Sequence, residues 1–151
     1  MSSVHGMPDF REKMQQIGSE KEVKKFVRKA SRQAMNIVRD AARNNAKAID
    51  DPVSVEKIHK NITVSSGKTK NKNTLKMRVG IKGGAGQNQY SISTVGLSGG
   101  DTRHWRFIEF GTSTIPAVPF MRPALANNIE LVIGKFSEVF IQQLNEALAA
   151  L

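Results

Sequence analysis

The sequence predicts an α+β chain, with a long N-terminal helix and a C-terminal helix packed on a small antiparallel β-sheet that contains a long-tipped hairpin. Three observations carry that reading. Apolar residues recur at spacings of three and four from Val23 to Ala41 and again from Leu125 to Leu148, the mark of amphipathic helices. Between them, Leu75, Met77, Val79 and Ile81 alternate with Lys76, Arg78, Gly80 and Lys82, the mark of a half-buried strand. The 151 residues are most simply one domain, and a chain of this length can bury roughly 70% of its unfolded surface without staples.

Residues 1–18 read as a flexible arm with at most a turn or two of helix around Phe10–Ile17. Gly18-Ser19 interrupts that pattern, and Ser19 followed by Glu22 reads as a capping box. The first long helix then carries Val23, Phe26, Val27, Ala30, Ala34, Ile37, Val38 and Ala41 on one face and runs to about Ala48, where Asp50-Asp51-Pro52 stops it. Its other faces hold Lys24, Arg28 and Arg32 among further cations. Ile62 and Val64 open the hairpin. Its tip, residues 65–74, is rich in turn formers and bears Lys68, Lys70 and Lys72. A two-stranded ribbon does not stand alone in water, so its apolar face is expected to rest on the long helix.

Residues 83–103 form a Gly/Ser-rich connection with room for one short strand around Tyr90–Val95. This connection and the hairpin tip are read as mobile loops. For residues 104–110 the apolar pattern is compatible with either a strand or two helical turns. The last helix is expected to begin at Pro123, in a position where a first-turn proline is tolerated, and to run to the C-terminus.

The formal net charge is +10 and lies at one end of the chain. Residues 1–82 hold 19 basic and 8 acidic side chains, whereas residues 124–151 hold one basic and three acidic. A basic excess of this size suits a nucleic-acid or acidic-protein partner, or charge steering between subunits. The chain has no cysteine, so a disulfide framework and thiolate metal sites are excluded and a reducing compartment such as a cytoplasm is expected. No apolar run reaches the length of a membrane span, so no membrane partner is expected.

Reaction chemistry is not visible. Gly67-Lys68-Thr69 resembles the end of a phosphate loop, but the position that would need the first glycine is Ile62 and no helix follows. The Gly83–Gly86 run lacks the strand–turn–helix setting of a dinucleotide site. His5, His59 and His104 show no ligand spacing, and no serine sits in a nucleophile-elbow context. No catalytic, cofactor or metal site is expected, and the chain is not expected to be an enzyme.

The densest stretch is "HWRFIEFGTSTIPAVPFMRPAL", residues 104–125, with the sole tryptophan, three of the seven phenylalanines and three of the five prolines. Gly111 suits a sharp turn with φ > 0 or a close approach. Pro116, Pro119 and Pro123 fix φ and stiffen the segment. Trp105, Phe107, Phe110 and Phe120 can each bury 150–250 Å². Glu109 and Arg122 flank the turn with opposite charge, and Glu109 is expected to pair with Arg122 or to accept backbone amides, locking the loop.

This stretch resembles the signature of a phage tail-component family, the small minor tail or tail-completion proteins of lambda-like long-tailed phages. The match is carried by Phe107, Glu109, Phe110, Gly111 and Thr112, then Pro116, Ala117, Pro119, Phe120, Arg122, Pro123 and Ala124. The resemblance implies a structural virion protein of the neck or tail that joins tail to head by subunit docking in a homo-oligomeric ring, six being the implied number. Its implied partners are neighbouring neck, connector or tail-terminator proteins. Trp105, Phe107, Glu109, Phe110, Gly111, Pro119, Phe120 and Arg122 are then the expected docking and loop-locking residues. Lys68, Lys70, Lys72, Lys24, Arg28 and Arg32 are the expected contacts to an acidic partner or, non-specifically, to DNA. The alternative readings are a basic DNA-binding module and a transient tail-assembly factor.

Overall fold

The computed structural model describes residues 19–83 and 97–150, together with Glu12 and Gln15. The rest of the expected N-terminal arm and the strand expected around Tyr90–Val95 lie outside the described residues.

Helix α1 spans Glu20–Lys47. It buries a single stripe of mostly small side chains: Phe26, Ala30, Ala34, Val38, Ala42 and Ala46. Ser19 is its N-cap, but no side-chain cap bond forms. The expected capping box is therefore replaced by backbone bonds, with the Glu22 and Val23 amides donating to the Ser19 carbonyl at 3.1 and 3.2 Å. After α1, Asp50 turns back, and its carboxylate accepts the Ile58 amide at 2.9 Å, the His59 amide at 3.2 Å and His59 Nδ1 at 2.6 Å. It thereby seats the short helix α2, Ile58–Asn61.

Strands β1, Ile62–Gly67, and β2, Lys76–Ile81, form an antiparallel pair in the register Ile62↔Ile81, Val64↔Val79, Ser66↔Met77. Those pairs share the face turned toward α1, and the intervening Ser65↔Arg78 pair faces away, with Arg78 Nε donating to Ser65 Oγ at 3.2 Å. Ser65, Ser66 and Gly67 belong to the strand, so the loop expected from residue 65 starts after Gly67, where pairing ends. Arg43 of α1 donates twice to the Ile62 carbonyl, at 2.7 and 3.1 Å, and so fixes the sheet on the helix.

The end of the 83–103 connection is tied down over α2. Buried Asn61 accepts the Gly99 amide at 2.9 Å and donates to the Gly100 carbonyl at 2.9 Å and to buried Thr102 Oγ1 at 2.7 Å. Residues Trp105–Phe110 form a helix, α3, which resolves the choice the apolar pattern left open. The expected single last helix is two. Helix α4, Arg122–Ala126, is followed after Asn127-Asn128 by α5, Ile129–Ala149. Asn128 turns its side chain back to the Ala124 carbonyl, 2.8 Å away, and adopts non-helical backbone angles, which breaks the run.

Helix α5 lies antiparallel along α1, and this is its main packing partner. Val139 and Phe140 meet Phe26 and Ala30 at one end. At the other, Phe120, Ala124 and Val132 join Val38, Ala42, Ala46, Ile58 and Ile62 in the larger core cluster. Alanines on α1 let the helix axes and the sheet approach closely, and the bulk is supplied from the partner side.

Candidate functional site

The turn that joins α3 to α4 is built around one carboxylate. Glu109 stands on the inner side of α3 and is 1% exposed. Its Oε2 accepts the amides of Phe120 at 2.7 Å and Met121 at 2.9 Å; its Oε1 accepts the Arg122 amide and Arg122 Nε, both at 3.0 Å. Arg122 Nη2 donates to the Glu109 carbonyl at 2.8 Å. The carboxylate thus serves as the N-terminal acceptor for α4, taking three donors that have no partner within that helix. Burial pushes the Glu109 carboxyl up, but the three backbone amides and the Arg122 guanidinium outweigh it and hold it below its ordinary value.

Between these residues the chain makes a stiff loop. Gly111 has φ 75°, and a Cβ there would stand 2.7 Å from the Ala117 nitrogen and 3.0 Å from the Ile115 carbonyl oxygen. Both reasons for glycine hold at this one position. The Thr112 amide donates to the Ile115 carbonyl at 2.8 Å, the Val118 amide to the Ile108 carbonyl at 2.8 Å, and Thr112 Oγ1 accepts the Ile115 amide at 3.0 Å. Pro116 and Pro119 lie exposed on this loop.

The four aromatic residues divide. Phe120 is fully buried in the core cluster, and Trp105 packs half-buried against it. Phe107 and Phe110, which the sequence marks as expected docking residues, are 53% and 61% exposed. The physical reason is the helical form of α3: at 100° per residue, turning Glu109 inward sends Phe107 and Phe110 toward solvent. The Arg122 guanidinium stacks 4.8 Å from the Phe110 ring centroid and holds that ring in place from one side. Ile115 and Val118 are exposed on the same loop.

The basic residues also divide. Lys24, Arg28 and Lys72 line one cavity of ≈ 530 Å³ between the start of α1 and the hairpin tip, floored by Val23, Val27 and Leu75. Lys24 is paired with Glu20 at 3.0 Å. Lys68 and Lys70 are exposed on the tip and Arg32 further along α1, and none of the three lines that cavity. Beside the tied end of the connection, Arg103 Nη2 reaches Asp101 at 2.6 Å, and this hydrogen bond holds the Asp101 carboxyl down at about 2. Among the described residues, no group of three or more His, Asp or Glu side chains is placed to hold a metal, and no helix is long and apolar enough to cross a membrane.

Comparison with known proteins bears on what such a turn serves. The family model described as "Bacteriophage HK97-gp10, putative tail-component" matches residues 9–111, about two thirds of the chain. The chain belongs to this family. It is a phage tail component, and its place is the virion. No curated protein and no solved structure matches it. The matched span takes in α1, the hairpin and α3 and stops at Gly111, so Glu109 and both exposed phenylalanines fall inside it while Arg122 and the amides that Glu109 accepts fall outside.

Sequence reasoning about this tail component missed three features. Asn61 and Thr102 carry the buried bonds that hold the connection, and nothing in their spacing signals it. Asp50 was legible only as a helix stop, not as the acceptor for α2. Leu131 and Ile141 are exposed on α5, and their signal is present in the sequence: neither belongs to the apolar stripe at spacings of three and four between Leu125 and Leu148.

Proposed function

We propose that this tail component is a non-catalytic joining protein of the phage neck, which completes the tail by docking to sister subunits in a ring and to the neighbouring connector or terminator proteins. One observation carries the reading. The turn between α3 and α4 is held rigid from within by Glu109 while it presents Phe107, Phe110, Ile115 and Val118 outward. Apolar groups that the fold has fixed but not covered suit a partner surface, because little ordering entropy remains to be lost on contact. Rings of identical subunits use such patches in heterologous contacts that close on themselves. Six subunits remain the number implied by resemblance.

The test is genetic. A phage lacking the gene is expected to accumulate filled heads and separate tails, with wild-type protein in trans restoring joined particles. The Phe107→Ser/Phe110→Ser variant is expected to fold and fail to restore them. Normal joined, infectious particles without the gene would overturn the proposal.

A second reading, contact with DNA in the tail passage, is favoured by the cations at Lys68, Lys70, Lys72, Lys24, Arg28 and Arg32. Duplex binding whose logarithm falls with log salt at a slope of roughly −0.9 per neutralised phosphate would support it, and no binding at moderate salt would remove it.

A further inference from the structure

The ring reading leaves open which surfaces of neighbouring subunits meet. We propose that the outer face of α5 of one subunit seats in the groove between α1 and the hairpin tip of the next copy. The inference rests on the ring reading above.

The groove is lined by apolar Val23, Val27 and Leu75 and by the cations Arg28, Lys72 and Lys76; its one carboxylate, Glu20, is paired with Lys24 at 3.0 Å, so the rim keeps a net positive charge. Phosphate gains nothing from such a floor; an acidic, partly apolar helix gains from both floor and rim. The chain itself carries that helix. On α5, Leu131, Gly134, Glu138 and Ile141 recur at spacings of three and four and so form one stripe. All four are exposed, Leu131 to 61%. The acidic groups of α5 are Glu130, Glu138 and Glu146 against the single Lys135, opposite in sign to the net +11 of residues 1–82. Charge and apolarity therefore match in kind on two different surfaces of the same molecule, and contact between such unlike patches runs head to tail, the arrangement that generates rings.

Gly134 points the same way. It lies inside α5, where glycine weakens a helix, and a Cβ added there would meet nothing within 4 Å among the described residues. Those residues give no packing reason for it. Close approach of a neighbour's floor side chains across this point supplies one.

The absence of native cysteine makes cross-linking a direct test. Lys72→Cys and Ile141→Cys chains, mixed and oxidised, are expected to form a mixed disulfide dimer, while each alone forms none. The chain carrying both changes is expected to form a ladder of multimers, in concentrated solution or in assembled particles. Arg28→Glu with Lys72→Glu is expected to abolish association, and Glu130→Lys with Glu138→Lys on the partner to restore it. Gly134→Ala separates docking from folding: the melting temperature is expected to rise by about 2–4 °C while association falls. No mixed cross-link in either setting, self-linking of the single variants as efficient as mixed linking, or Gly134→Ala chains that associate normally would each overturn the proposal. If cross-links fail while the Phe107→Ser/Phe110→Ser phage still cannot join heads to tails, the docking reading survives and this pairing falls. Salt-sensitive duplex binding lost with the Arg28 and Lys72 changes, with no cross-link, assigns the groove to DNA and also overturns it.

Discussion

Helices α1 and α5 lie side by side, yet they treat their apolar residues in opposite ways. The buried residues of α1 form an unbroken stripe from Phe26 to Ala46, and its remaining faces are dominated by charge. Helix α5 buries Val139, Phe140 and Leu144 but leaves Leu131, Ile133 and Ile141 open to solvent. With Phe107, Phe110, Ile115 and Val118 also open, most of the large exposed apolar side chains among the described residues fall in the C-terminal third of the chain. The first helix is finished by the fold and the last is not. That difference is what the proposed docking reading uses: a covered stripe needs no partner, whereas an open apolar surface suits one.

The largest effect is expected at the turn that leads from α3 into the C-terminal helices. Glu109→Ala removes the acceptor of three backbone amides and of Arg122 Nε and should cost about 3 kcal/mol, since buried donors are left without partners. Glu109→Gln keeps one acceptor oxygen and the shape, and should cost about half as much. Chemical denaturation of the three proteins checks the order. The same carboxylate sets an acid limit. Its pKa is lower folded than its ordinary value of 4.5, so the unfolded chain takes up the proton first. Its contribution is fully present above that ordinary value and is lost as pH falls through the lower folded pKa. Glu109→Gln should flatten this acid-side fall in melting temperature; an unchanged profile would show that other carboxylates set it.

Next in size is overpacking of the finished helix. Ala30 on α1 is fully buried between Phe26, Val139 and Phe140. Ala30→Leu inserts three carbons where α1 and α5 pack, and should destabilise by about 2 kcal/mol, although leucine is as good a helix former as most. A neutral result would mean that α5 moves freely on α1, and the contrast between the two helices would lose its basis.

The same contrast explains what was legible in the sequence. The period of 3.6 gave α1 almost to the residue, because one face of that helix does nothing but pack. Alternation gave the apolar face of the hairpin, and the acid–base pair at Glu109 and Arg122 could be named because Glu109 is the one carboxylate in residues 104–125. Where a side chain is apolar but uncovered, patterning does not tell it from core. The aromatic content of residues 104–125 does not say which rings the fold covers, and Phe107 and Phe110 are open while Phe120 is buried; the helical period from Leu125 to Leu148 likewise includes Leu125, Ile129 and Ile133, all three exposed. The break at Asn127-Asn128 rests on one side-chain bond, from Asn128 to the Ala124 carbonyl, which no periodicity encodes. The carboxylate of Asp50 and the amide of Asn61 act across eight to forty-one residues of chain, beyond the reach of any local pattern.

The smallest expected effect on stability is the most informative one. Phe107→Ser, Phe110→Ser and Ile141→Ser each replace a side chain that is more than half exposed, and each should shift folding stability by no more than about 0.5 kcal/mol. Phe110→Ser also loses the stacked Arg122 guanidinium, so it should sit at the upper end of that range. Thermal melts set against yields of joined particles measure both sides at once. If the apolar surface of the C-terminal third exists for assembly, the melts stay level and the particle yield collapses. If instead the variants lose stability in proportion to the apolar area removed, these side chains complete the monomer, and the two helices differ in degree only.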